Sequence, residues 1–335
     1  MKTAVACGVV VATVASISGP APAQTRDVPR KLTQDEWDQV KPLFQLVEEA
    51  AAGKPAPMDV GLTWQNHVLK TVSNVLLVPF TLTIEKGQFT SFPVAMYLRV
   101  VSRGAPAPAP GPRDPLAQYP FEDAAIFDKP QEGRFSRAFI APAGEYDVYV
   151  ALRERPSPTV AQPKTVVFKR PVSVPDIGSD LAASSIIVAE KVEVEPGNRR
   201  PNFEEQLNEP YRLWGTKITP AIGTKFPQSG KLSVIFLIYN AGAAASDKPD
   251  VEVQYDFHQK TGATETFFGR TNPQSFNAQT LRPEFSLAAG DVVIAGQDMP
   301  LARFPEGDYR LEINVTDKTN GNSIERDVNF TVVGS

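Results

Sequence analysis

Long stretches of this chain alternate apolar and polar residues with a period of two, the signature of half-buried strands. Phe80, Leu82 and Ile84 alternate with Thr81, Thr83 and Glu85, while Val94, Met96, Leu98 and Val100 alternate with Ala95, Tyr97 and Arg99. Val251, Val253, Tyr255 and Phe257 alternate with Glu252, Gln254 and Asp256, and Ile324, Val328, Phe330 and Val332 mark a closing strand. Further strands are predicted at 64–69, 121–127, 134–140, 165–174, 185–194 and 291–295. The run Leu232 to Tyr239 is apolar throughout and reads as a central strand covered on both faces.

One pattern occurs twice. Pro305-Glu306-Gly307-Asp308-Tyr309 leads into Leu311, Ile313 and Val315, and Pro142-Ala143-Gly144-Glu145-Tyr146 leads into Val148 and Val150. In each copy Pro and Gly form a turn and Tyr opens a strand, so the Tyr hydroxyl can donate back to the corner it has just left. Two copies predict two cores, hence an all-β chain of two tandem sandwiches. The expected divisions are a signal peptide at 1–23, a helical segment and linker at 24–57, a first sandwich at 58–178 and a second at 179–335.

The helix is predicted from Thr33 and Glu36, which have capping-box spacing, from an apolar stripe at Trp37, Val40, Phe44 and Val47, and from Gly53 at its end. Pro42 falls inside it, which predicts a kink or a break into two short helices. The stripe is expected to lie on the first sandwich. With 31 prolines against 22 glycines, rigid turns between short strands suit this chain better than long helices. Ala105 to Pro112 places proline at alternate positions and reads as a stiff, solvated loop.

Composition narrows the function. Lys2, the apolar stretch Ala4 to Ile17 and Ala21-Pro22-Ala23 read as an export signal cleaved after Ala23, giving a periplasmic or secreted protein with no membrane span after cleavage. Loss of Lys2 takes the formal charge from −4 to −5, and with it goes Cys7, the one cysteine. Disulfides, thiolate-bound zinc and a Cys nucleophile are then excluded together. No basic stripe accompanies Arg199-Arg200, so no nucleic-acid partner is expected, and the absence of glycine-rich phosphate loops removes nucleotides.

Only His67 and His258 are present, in different expected domains, with His258 read as solvated and His67 as half-buried. No serine lies in a nucleophile elbow, so neither a catalytic residue, a cofactor site nor a metal site is assigned. Asp317 to Asn322 has the composition of a calcium loop but the wrong register, and reads as a hairpin turn in which Asn320-Gly321 takes positive φ. Asn314-Val315-Thr316 and Asn329-Phe330-Thr331 match a glycosylation pattern but fall within strands.

Four aromatics remain as a candidate ligand or partner surface. Tyr97 and Tyr149 lie on the faces of their strands away from the expected core, and Phe267 and Phe268 follow a polar turn. Exposed rings on a flat sheet stack on sugars or anchor a protein; covered by the helix or by the other domain, they are packing. Three functions stay open. The first is a non-enzymatic exported binding or scaffold protein with an envelope protein as partner, the second a carbohydrate-binding accessory module for a polysaccharide, and the third a hydrolase with dispersed carboxylates.

Leu232-Ser233-Val234-Ile235-Phe236-Leu237-Ile238-Tyr239-Asn240-Ala241-Gly242, with Phe304 to Val315, resembles the immunoglobulin-like domains of uncharacterised secreted bacterial proteins, including those that accompany the GWxTD motif. Trp64-Gln65-Asn66-His67 with Val78-Pro79-Phe80-Thr81-Leu82 is similar to the front of such proteins. The motif itself is missing, since Trp214-Gly215-Thr216-Lys217 is a fragment in another order. The resemblance implies an immunoglobulin-like sandwich fold and export, with Pro142, Gly144, Tyr146, Pro305, Gly307 and Tyr309 as structural corners, and no catalytic residue.

Overall fold

A computed structural model of the chain describes residues 32–70, 75–104, 121–158, 160, 162–195 and 201–334. The expected signal with Cys7, the proline-alternating run and Arg199-Arg200 lie outside the described residues. Among the described residues strands dominate, beside two α-helices, Gln34–Ala51 and Phe203–Asn208, and no helix there is long and apolar enough to cross a membrane. Two compact units divide the chain, one of Leu32–Ser179 with Ala189–Ile222, the other of Asp180–Val188 with Gly223–Ser335. The expected division falls after 178, whereas contacts group residues 189–222 with the first unit. Arg134 donates to the Pro220 carbonyl at 3.0 Å and pairs with Glu190, and His67 shares a hydrogen bond with Tyr211. Each of these ties joins residues far apart in sequence.

In the first unit Phe121–Phe127, Val94–Ser102, Gly144–Glu154 and Thr165–Val174 form one antiparallel sheet in that order. A second sheet has Leu76–Ile84 paired with Leu62–Asn66, Leu69–Lys70 and Arg134–Ile140. Aromatic pairs join the two inner faces, with ring centroids 5.8 Å apart for Trp64 and Phe168, 6.3 Å for Phe121 and Phe139 and 5.1 Å for Phe127 and Phe135.

The first sheet is apolar on both sides, because the residues between Val94, Met96, Leu98 and Val100 include Ala95 and Tyr97. Its second side takes the N-terminal helix. Val40, Leu43 and Val47 pack on Ala95, Tyr97, Tyr149, Ala151 and Val167, and the small Ala95 and Ala151 let the helix approach. Thr33 and Glu36 close the capping box, and at the far end Lys54 N–H donates to the Glu49 carbonyl and Gly53 N–H to that of Ala50, with Gly53 at φ 81°. The expected break at Pro42 does not occur and the helix runs through it. Pro42 leaves the carbonyl of Asp38, one turn back, without its helical donor, and both residues are on the exposed side, where water supplies one.

In the second unit Lys231–Tyr239 pairs with Val293–Pro300 and with Ala182–Ala183, and is buried from Leu232 to Tyr239. Across the core a larger sheet runs Lys225–Pro227, Ser323–Val333, Gly307–Asp317, Val251–Thr261 and Thr264–Arg270, with Gln274–Phe276 also on Val251–Thr261. Leu232, Val234, Phe236 and Ile238 face Val251, Val253, Tyr255, Phe257, Tyr309, Leu311, Ile313 and Val315.

Both repeated corners close as their chemistry predicts. The Tyr146 hydroxyl donates to the Pro142 carbonyl at 2.9 Å and the Tyr309 hydroxyl to that of Pro305 at 2.8 Å. Gly144 and Gly307 sit at φ 155° and 147°, a region that side chains rarely enter. Each Tyr lies in its own unit. Tyr146→Phe and Tyr309→Phe are each expected to lower stability by about 1 kcal/mol, since the ring stays packed and one carbonyl loses its donor. Urea denaturation of the two variants measures this.

Candidate functional site

The surface that survives as a candidate is built by a hairpin. Thr261-Gly262-Ala263-Thr264 reverses the chain in two residues, with Gly262 at φ 62° in the first central position, the arrangement of a type II′ turn. The outgoing strand Thr264–Arg270 pairs with Val251–Thr261 on one side and ends the sheet; among the described residues no strand lies on its other side. In an antiparallel ladder every second residue turns its N–H and C=O away from the paired neighbour, so this edge holds unpaired backbone groups.

The register slips inside this strand. Phe257 stands opposite Gly269 and His258 opposite Phe267, which leaves Phe268 as an extra residue in a bulge. Phe268 turns into the core, with centroids 4.8 Å from Phe304 and 5.4 Å from Tyr309. Phe267 turns out and is 56% exposed, the guanidinium of Arg270 5.4 Å from its ring centre and the His258 ring edge-on at 5.9 Å. Beside it Glu265 accepts from Arg310 at 2.9 Å and lies 3.4 Å from Lys260, while Arg270 donates to Asp256 at 2.9 Å. An apolar ring thus stands alone on a charged sheet face, at a free edge.

The four aromatics expected as one surface are not brought together. Tyr97 is 1% exposed and Tyr149 6%, both under the helix, with Phe44 edge-on to Tyr97 at 4.4 Å. Neither can stack on a sugar; of the two settings weighed for these rings, exposure and cover, cover by the helix is the one found. The cause is the second apolar side of the sheet, which the helix stripe covers. Phe268 is half-buried against the core, and Trp64 lies half-buried, stacked on Phe80 at 4.5 Å. Phe267 alone keeps the expected exposure. The turn before it is legible in the sequence but the strand it opens is not, because Thr264-Glu265-Thr266-Phe267-Phe268 does not alternate.

Tyr97 instead joins a buried polar network. Its hydroxyl donates to Glu122, whose side chain is fully buried, and accepts from Arg99 Nε at 3.0 Å; Arg99 also reaches Glu122 at 3.1 Å and Glu48 of the helix at 2.9 Å. Burial, and after it the bond to Glu122, holds the Tyr97 hydroxyl far above its ordinary range, so it stays a donor. Arg99 thus links the buried Glu122 of the sheet to Glu48 of the helix.

The histidines differ from their expected settings. His67 is 5% exposed, its Nδ1 2.9 Å from the Tyr211 hydroxyl, and burial pushes its pKa down to about 4. His258 is half-buried, with Nε2 3.5 Å from Glu312. Glu312, Glu325 and Asp327 bring carboxylate oxygens within 4.8 Å of one another on the outward face of the larger sheet. Arg310 donates to Glu312 at 2.8 Å and to Asp327 at 2.6 Å, which makes this grouping part of a charge ladder. Asp317, the first residue of the loop that resembles a calcium site, is wholly buried and accepts from Gly242 N–H at 2.7 Å, Thr319 N–H at 2.9 Å, Thr319 Oγ1 at 2.6 Å and Asn320 Nδ2 at 3.1 Å. The loop is a turn, with positive φ at Gly321 and not at Asn320.

Compared with models of protein families and with curated proteins, the sequence matches none.

Proposed function

We propose that this chain is a non-enzymatic scaffold protein of the bacterial envelope, exported by its N-terminal segment, whose immunoglobulin-like domains act through protein–protein contacts. The carrying observation is the edge strand Thr264–Arg270, exposed along Thr264 to Phe267, with one aromatic ring turned to solvent and, among the described residues, no strand on its outer side. Such an edge receives an extended chain by adding it to the sheet, backbone bonds giving affinity and the ring giving position. Both tyrosine corners support the immunoglobulin-like reading of the two sandwiches.

A photo-crosslinking residue at Thr266, introduced in the cell of origin, tests this. It is expected to give a discrete protein adduct that is lost when Phe267→Ala accompanies it. Absence of any adduct, or an adduct indifferent to Phe267→Ala, overturns the proposal.

A further inference from the structure

We infer that the chain received by this edge is a second copy of the same protein, paired antiparallel through Thr264–Arg270 about a two-fold axis at Phe267; this rests on the edge-strand reading of its function. A two-fold interface must be complementary to itself, so that if one residue meets a second, the second meets the first. The outward side chains of this strand satisfy that condition. Glu265, Phe267 and Arg270 stand opposite Lys260, His258 and Asp256, three positions evenly two residues apart on the neighbouring strand. On their own strand the spacing is two and then three, and the bulge at Phe268 absorbs the difference. The edge therefore shows a negative charge, a ring and a positive charge at equal intervals.

Laid antiparallel about Phe267, a second copy sets the partner's Arg270 opposite Glu265 and the two Phe267 rings opposite each other. Each charged row then reads Lys260, Glu265, the partner's Arg270 and the partner's Asp256, with signs alternating throughout, while the middle row is His258, Phe267 and their two mates. Parallel pairing would set Glu265 against Glu265 and Arg270 against Arg270, which like-charge repulsion disfavours. A bulge ordinarily blunts an edge against pairing. Here it supplies the symmetry, since without the extra residue Gly269 would stand opposite Asp256 and the row would end uncharged. One strand pairing buries little surface, so the dimer is weak, with a Kd in about the micromolar range.

Sedimentation equilibrium of the full chain carrying Cys7→Ser is the test, with crosslinking at Thr266 as its companion. The chain is expected to show a monomer–dimer equilibrium, and Glu265→Arg and Arg270→Glu each to raise Kd at least about tenfold, because either places two like-charged pairs across the axis. Mixing the two variants is expected to restore dimers, since each then meets its opposite charge; a folding defect would not be repaired by mixing. Phe267→Cys in the same background is expected to yield a disulfide-linked dimer under mild oxidation, as cross-strand Cβ atoms stand about 5 Å apart. A chain that stays monomeric, or charge variants that dimerise as tightly as the parent, overturns self-pairing. If the monomeric chain still crosslinks to another protein at Thr266, self-pairing falls and the edge-strand function stands; if it crosslinks to nothing, both fall.

Discussion

Asp317→Ala is expected to destabilise the second unit by about 3–5 kcal/mol, since several buried donors lose their acceptor at once and each unmet group costs about 1–3 kcal/mol. The carboxylate lies at the end of the Tyr309 strand with no exposed surface and takes four donors, two of them backbone N–H groups from separate loops. Alanine would strand these donors where water does not reach. The site is tight as well, since a Cβ added at Gly242 would meet Thr319 Oγ1 at 2.2 Å and Asp317 Oδ2 at 3.2 Å. Asp317→Asn keeps the volume but turns one acceptor into a donor facing donors, and is expected to recover less than half of the loss. Chemical denaturation of the two variants checks both values. An Asp317→Ala cost under about 1 kcal/mol, the ordinary worth of an exposed polar contact, would refute the assignment.

The second large effect is a loss of stability in mild acid that originates at His67. Its folded-state pKa lies near 4 against 6.5 for the exposed side chain, because burial disfavours the imidazolium. Between those values the unfolded chain binds a proton that the folded chain refuses, so stability rises with pH across the window and is fully present above 6.5. Below about 4 both forms are protonated and the contribution is flat. The span corresponds to about 3 kcal/mol. Urea denaturation from pH 7 to pH 4 should show this slope in the parent and lack it in His67→Phe, the difference cancelling the carboxylates that titrate nearby. With two histidines in the chain, NMR can follow the His67 ring directly; a midpoint near 6.5 in the folded protein would contradict its enclosure.

The strands were legible because alternation is a local property. Val251 to Phe257 and the two Tyr corners needed no knowledge of what they pack against. Burial of Tyr97 and Tyr149 was legible only as one of two settings, cover by the helix or the other domain against exposure. Alternation assigns one side of a strand to the core and says nothing of a second layer, although Ala95 and Tyr97 between apolar neighbours, with an amphipathic helix upstream, hinted at one. Residues 189–222 were assigned by order along the chain, whereas Tyr211 and Pro220 are placed by His67 and Arg134, contacts without sequence signature. Phe267 and Phe268 look equivalent as letters. The slip of register that sends one ring inward and the other out depends on pairing with a strand already in place.

The helix that covers the first sheet has a consequence for how the protein is made. A ribosome delivers Gln34–Ala51 well before Val94–Ser102, Gly144–Glu154 and Thr165–Val174, the strands on which Val40, Leu43 and Val47 come to rest. For the whole of that interval the apolar stripe has no native seat, so the nascent chain carries it unattended. Docking closes loops that run from Ala51 to Val94 at the shortest and from Ala51 to Thr165 at the longest, and it needs the sheet that receives the helix to be in place.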